Sequence, residues 1–154
     1  TDFRRARYTS FLFFYEFRMS QSPPPEYGPQ HTPYDAIGGE EPVRALARAF
    51  YSYMDSNPDY AGLRALHAPR LEEVEETFFE FLSGWLGGPQ LYVQKRGHPR
   101  LRMRHAPFPI DESMRDQWLA CMAEAMDACG IEGEIRSFLD ARFAHVADFM
   151  RNRN

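Results

Sequence analysis

Long apolar runs, a basic surplus, pairable cysteines and strand-like alternation are all missing from this 154-residue chain, and each absence removes a class of function. No stretch of 18 consecutive apolar residues occurs, so no segment reads as a membrane-spanning helix. The formal net charge is −4, which leaves no overall basic field to draw nucleic acid. The cysteines are Cys121 and Cys129. On one helix they would stand about 12 Å apart along the axis, too far for a disulfide. Two free thiols without a convincing signal peptide predict a reducing cytoplasm. The histidines His31, His67, His98, His105 and His145 form no HxxxH or HExxH pattern, and no CxxC is present, so a zinc site is not expected. A GxGxxG fingerprint is also absent, so the chain itself is not expected to carry a flavin or nicotinamide.

What remains is long enough for one domain, able to bury roughly 70% of its unfolded surface. Aromatic residues make up 15% of the chain. Large flat side chains can pack a core, or line a slot for a large flat ligand. Residues 1–31 do not match the rest. Residues 1–19, TDFRRARYTSFLFFYEFRM, carry a net charge of +2 and leave −6 for the remainder. The following stretch, MSQSPPPEYGPQHTP, has the proline-rich polar composition of a linker. These features predict a disordered or poorly packed N-terminal extension over 1–31. Its first 18 residues read as a non-native or upstream addition ahead of a natural start at Met19, the alternative being a degenerate targeting segment.

From Thr32 the period is helical. Val43, Leu46, Ala47, Phe50 and Met54 follow i, i+3, i+4, i+7, i+11, and Pro58 ends that run. Leu71, Val74, Phe78, Phe81 or Leu82, and Trp85 form a second stripe, with Glu72, Glu73, Glu76 and Glu80 expected on a solvated face. Gly87-Gly88-Pro89 breaks that helix. Asp111 caps a long helix that Gly130 closes, and a last helix carries Ile135, Phe138, Leu139, Val146 and Phe149. The class is all-α, with four substantial helices and several short ones.

The segment GHPRLRMRHAPFPI, Gly97 to Ile110, is the unusual one. Pro99 suits a first helical position and Pro107 disfavours helix from Ala106 onward, leaving about two turns. A helix that short is unstable alone, so something else must hold it. Leu101 and His105 share one face and Arg100 and Arg104 another, so His105 is expected to face inward and the arginines outward. Two readings of His105 follow: a core histidine bonded to a carbonyl, or a metal ligand whose second nitrogen is held by a carbonyl. Zinc lacks the further ligands it needs, whereas haem iron needs one protein ligand, an apolar slot and nearby cations.

The stretches YDAIGG, AFYSYM, WLGGPQLY, RGHPRLRMRHAPF and DQWLACM, in that order, resemble the truncated haemoglobins of the second group. The resemblance covers about three quarters of the chain and implies a globin-like two-over-two helical sandwich over 32–150, with a short proximal helix. It further implies haem b (iron protoporphyrin IX) as cofactor and His105 as the axial iron ligand. By the same resemblance Tyr51 matches a distal tyrosine, Trp118 the tryptophan typical of the group, and His67 a polar or aromatic residue facing the ligand. Val74 falls at the usual distal helix position, where it cannot donate a hydrogen bond, and Phe78 covers the distal face. Tyr92, Lys95, Arg96 and Arg102 are expected as haem contacts able to reach the propionates.

The function so implied is binding and transfer of O2, or of other diatomic ligands, at an iron with an open sixth position. The enzymatic alternative is detoxification of NO or activation of peroxide, which requires an external reductase. A reading of another kind is a non-haem helical module whose aromatic groove takes a partner helix.

Overall fold

The computed structural model describes residues 27–154, and the expectations placed on residues 1–26 lie outside them. Eight α-helices form among the described residues: α1 Pro33–Ile37, α2 Glu40–Ser56, α3 Ala61–Ala65, α4 Glu72–Trp85, α5 Leu91–Arg96, α6 Leu101–His105, α7 Glu112–Ala128 and α8 Gly133–Phe149. A 3-10 turn, Pro58–Tyr60, precedes α3.

The helix ends follow local chemistry. Thr32 caps α1 by accepting from the Asp35 N–H at 3.0 Å, and Asp111 caps α7 by accepting from Met114 at 2.9 Å. Glu72, Glu73 and Glu75 sit in the first turn of α4, where the helix dipole favours negative charge. At its other end the Gly87 N–H bonds the Gly84 carbonyl and the Gly88 N–H bonds that of Ser83. This is a Schellman closure, with Gly87 in the left-handed region at φ 88°. Gly88 is needed for closeness: a Cβ there would run into the Tyr34 ring.

The expected two-over-two sandwich is present. Helices α2 and α4 pack on each other, α7 packs on α8, and α2 against α7 joins the two layers. The α2 stripe of Val43, Leu46, Ala47, Phe50 and Met54 is fully buried, as expected, against Phe79 and Leu82 of α4, Cys121, Met122 and Met126 of α7, and Leu139 and Phe143 of α8.

Three local expectations are corrected. In α4 the deepest face is Phe79, Leu82 and Ser83, while Val74, Phe78 and Phe81 are only half-buried. Glu80 is not on a solvated face. Its side chain is 2% exposed and pairs with Lys95 at 2.5 Å and Arg96 at 3.5 Å, which makes burial of the carboxylate tolerable. The proximal helix is shorter than two turns, because Arg100 has φ 47° and so cannot be helical, leaving Pro99 outside. Of the N-terminal extension, Tyr27 packs on Phe138 of α8 with ring centroids 4.5 Å apart, while Gly28–His31 stay exposed.

Candidate functional site

One wall of the site begins with the register of α2. Phe50 faces the core, so the next residue, Tyr51, is turned about 100° around the axis toward the gap between the layers. Its ring lies 5.7 Å from Phe78 of α4 and 5.8 Å from His67, measured between centroids. Phe50 bridges this group to Trp118 of α7 at 5.4 Å, and Trp118 lies 6.5 Å from Phe78. Four residues far apart in sequence, Tyr51, His67, Phe78 and Trp118, thus meet at one place.

They open onto a cavity of about 370 Å³ with mostly apolar walls. Val74, Thr77 and Phe81 of α4, Tyr92 of α5, Leu101, Arg104 and His105 of α6, Phe108 and Ile110 beyond it, Met114 and Arg115 of α7 and Val146 and Met150 also line it. The size lies within the usual range for small-molecule and cofactor sites. The half-buried face of α4 is therefore the cavity face, which explains why its stripe is not the core stripe.

The polar groups in this cavity have definite roles. His105 donates Nδ1–H to the Leu101 carbonyl at 2.6 Å, since a carbonyl can only accept. In the neutral ring Nε2 then carries the free lone pair, the form a metal ligand requires. His67 is held alike, with Nδ1–H to the Leu63 carbonyl at 2.9 Å. Burial pushes its pKa down, partly offset by that hydrogen bond, while Arg64 adds to the lowering. A neutral His67 with its N–H so engaged has a lone pair to offer and no proton to donate. His67 lines the same cavity.

Tyr51 and Trp118 carry O–H and N–H donors into the cavity. Burial raises the Tyr51 phenol far above its usual range and keeps it protonated. Among the described residues neither its hydroxyl nor the Trp118 indole N–H is committed to a protein acceptor. Thr77 is different: its hydroxyl already bonds the Glu73 carbonyl at 2.9 Å.

The cationic partners differ from expectation. Tyr92 lines the cavity and is buried. Lys95 and Arg96 are outside it because their charges are drawn to Glu80. Arg102 is also outside, with its guanidinium 5.0 Å from the Phe149 ring centroid. The cations that do line the cavity are Arg104 and Arg115. Arg104 is exposed, as expected, and lies along the cavity edge with its Nε bonding the Pro99 carbonyl at 2.7 Å. Arg115 pairs with Asp148 at 2.8 Å. A signal for Arg115 does exist in the sequence, since it lies three residues before Trp118 and shares its helix face. Nothing local marks Arg104.

The thiols stand apart from this chemistry. Cys121 is buried, bonds the Phe50 carbonyl at 3.2 Å, and is pushed up to about 12 by burial, so it is a poor nucleophile. Among the described residues no group of three or more His, Cys, Asp or Glu could hold a metal ion, and no helix is long and apolar enough to cross a membrane.

Comparison with known proteins gives the same picture from another direction. The family model described as bacterial-like globin matches residues 32–152. A curated relative, the group 2 truncated hemoglobin YjbI of Bacillus subtilis, is 44% identical over 123 residues, spanning 80% of this chain and 90% of that one. The solved structure of a cold-adapted truncated hemoglobin from Pseudoalteromonas haloplanktis TAC125 superposes with a TM-score of 0.78 at 43% identity, covering 80% of this chain and 99% of that one. A group II 2-on-2 hemoglobin from Agrobacterium tumefaciens gives 0.77 at 44%, with 80% and 95% covered. A truncated oxygen-avid haemoglobin from Bacillus subtilis gives 0.74 at 44%, with 79% and 100% covered.

Proposed function

This chain belongs to the bacterial-like globins and is a haem globin of diatomic ligands, and from that premise we propose that it binds O2 tightly with His105 as the iron ligand. The residues present fit haem b. The cavity is apolar and of cofactor size, Arg104 supplies positive charge along it, and His105 offers an imidazole already oriented by Leu101. Haem iron, when bound, supplies a coordination position for a diatomic ligand. His105 would hold the group, Val74 and Phe78 would help keep water from the cavity, and Trp118 and Tyr51 would donate hydrogen bonds to a bound diatomic ligand. His67 contributes a lone pair and shape.

The single observation that carries this reading is the pairing in one cavity of a carbonyl-anchored imidazole, His105, with two donors, Tyr51 and Trp118, that bond no acceptor among the described residues. The Bacillus subtilis relative described as oxygen-avid supports the same choice of ligand. Absorption spectra test it: haem-replete protein should show a Soret band that shifts reversibly with O2. Colourless protein that does not take up added hemin would leave the aromatic groove to a partner helix instead.

A second reading is favoured by the same two donors. Retention suits chemistry better than carriage, because a carrier must release its cargo. Consumption of NO by the oxygenated protein, or turnover with peroxide, with electrons from a separate reductase, is that reading. Rapid mixing with NO and steady-state peroxide assays separate it from storage or transfer of O2. Two unbridged thiols, Cys121 and Cys129, support a cytoplasmic setting for either role.

A further inference from the structure

The proximal helix α6 has five residues, none of them buried. Its own bonds are local. The Arg100 N–H bonds His98 Nδ1 at 3.0 Å, the Arg104 N–H bonds the Arg100 carbonyl at 3.0 Å, and Arg104 Nε bonds the Pro99 carbonyl. These tie the segment to itself but do not place it against the rest of the domain. A helix of this length has no stability of its own.

Besides the Arg102 guanidinium 5.0 Å from the Phe149 ring centroid and that of Arg104 5.8 Å from the Tyr92 ring centroid, a hydrogen-bonded hold comes from beyond α8. Asn152 Nδ2 donates to the His105 carbonyl at 3.3 Å and to the Phe108 carbonyl at 2.9 Å. Its Oδ1 accepts from the Ile110 N–H at 2.9 Å. The backbone N–H groups of Asn152 and Arg153 donate to the Ile110 carbonyl at 2.9 and 3.1 Å. One side chain, 47 positions from His105, therefore satisfies three backbone groups of the loop that leaves the proximal helix.

We propose that Asn152 is a positioning residue for His105, a C-terminal clasp that sets where the proximal imidazole stands and how firmly the prosthetic group is held. The proposal rests on the reading of His105 as the iron ligand. The geometry gives the reason. The imidazole is pinned at Nδ1 to the Leu101 carbonyl, and the backbone that carries it is pinned through the His105 carbonyl to Asn152. Together the two bonds narrow the orientations open to the ring. The carboxamide is specific to the task, since two donors and one acceptor in one plane match two carbonyls and an N–H. An aspartate keeps the acceptor, loses both donors, and brings a negative charge to two carbonyl oxygens.

The experiment compares haem-loaded wild type with Asn152→Asp, Asn152→Leu and, as a control that keeps its backbone donor, Arg153→Ala. Three quantities are read: the iron–histidine stretching band of the ferrous unliganded form by resonance Raman, the rate of haem transfer to apomyoglobin, and amide hydrogen exchange over residues 101–110. Both Asn152 variants should shift or broaden the band, speed haem loss by about tenfold or more, and lose protection at Ile110, with α2, α4 and α7 protected as before. Arg153→Ala should match wild type. An unchanged band with wild-type haem loss overturns the clasp and leaves His105 standing as ligand. Protection lost equally in every helix overturns it too, since Asn152 would then support only the fold. A His105→Gly protein with an unaltered band removes the reading on which the proposal rests.

Discussion

His67 and His105 are anchored identically: each ring donates Nδ1–H to the carbonyl four residues before it, Leu63 at 2.9 Å and Leu101 at 2.6 Å, and both line one cavity. Two imidazoles with free Nε2 lone pairs thus face the same space. Only one is on the short proximal helix that the C-terminal turn secures. His105→Gly should lose the axial imidazole, and free imidazole added to the buffer should partly restore the haem spectrum. His67→Phe should leave haem retention at the wild-type level. Spectral titration with hemin checks both, and the reverse pattern would exchange the two assignments.

On the proposed function, Trp118 is expected to set the rate of ligand escape. Its indole N–H is uncommitted, and a hydrogen bond to a charged group contributes about 1.5–3 kcal/mol. Trp118→Phe keeps an aromatic ring and removes the donor, so O2 release should accelerate by about tenfold to a hundredfold. Tyr51→Phe should accelerate it less, because Trp118 remains. Stopped-flow displacement of O2 by CO gives both rates. Release from Trp118→Phe no faster than from wild type would remove the tryptophan from the ligand's surroundings.

Glu80 makes stability depend on acid. Burial alone would raise its carboxyl pKa, but the hydrogen bonds and charges of Lys95 and then Arg96 win and hold it below the usual range. A carboxyl depressed in the folded state contributes stability at neutral pH that is lost as pH falls through the ordinary carboxylate range toward the folded value. Glu80→Gln should cost about 1–3 kcal/mol near pH 7 and flatten the acid limb of the stability curve. Urea unfolding at a series of pH values reads both. Equal slopes for wild type and variant would mean that another group carries the acid dependence.

Gly88 tests how tightly the end of α4 meets the first helix. A methyl group there collides with the ring of Tyr34, whose backbone N–H is itself held by the Leu86 carbonyl at 2.9 Å. Gly88→Ala should lower stability by about 1–3 kcal/mol through forced displacement of that ring. Gly130→Ala meets no atom within 4 Å, so its cost should come from its positive φ alone. Thermal unfolding of the two variants separates collision from backbone strain.

The substantial helices and most of their ends were legible along the chain. Periodicity fixes which residues share a face, caps and Gly-Gly-Pro breaks fix where the faces stop, and both are short-range properties. What each face meets is another matter. The stripe Val74, Phe78, Phe81 or Leu82 reads as core, yet only the crossing of α2, α4 and α7 makes Val74, Phe78 and Phe81 the wall of a cavity and gives the core to Leu82 and Phe79. Lys95 and Arg96 look free for an anionic ligand until Glu80, fifteen and sixteen positions earlier, is found buried beside them. Arg104 and Arg115 replace them along the cavity, and Asn152 reaches a carbonyl 47 residues away. Charges and hydrogen bonds are satisfied by whatever the packing brings near, so their partners belong to the tertiary structure, while the pattern that builds the helices belongs to the sequence.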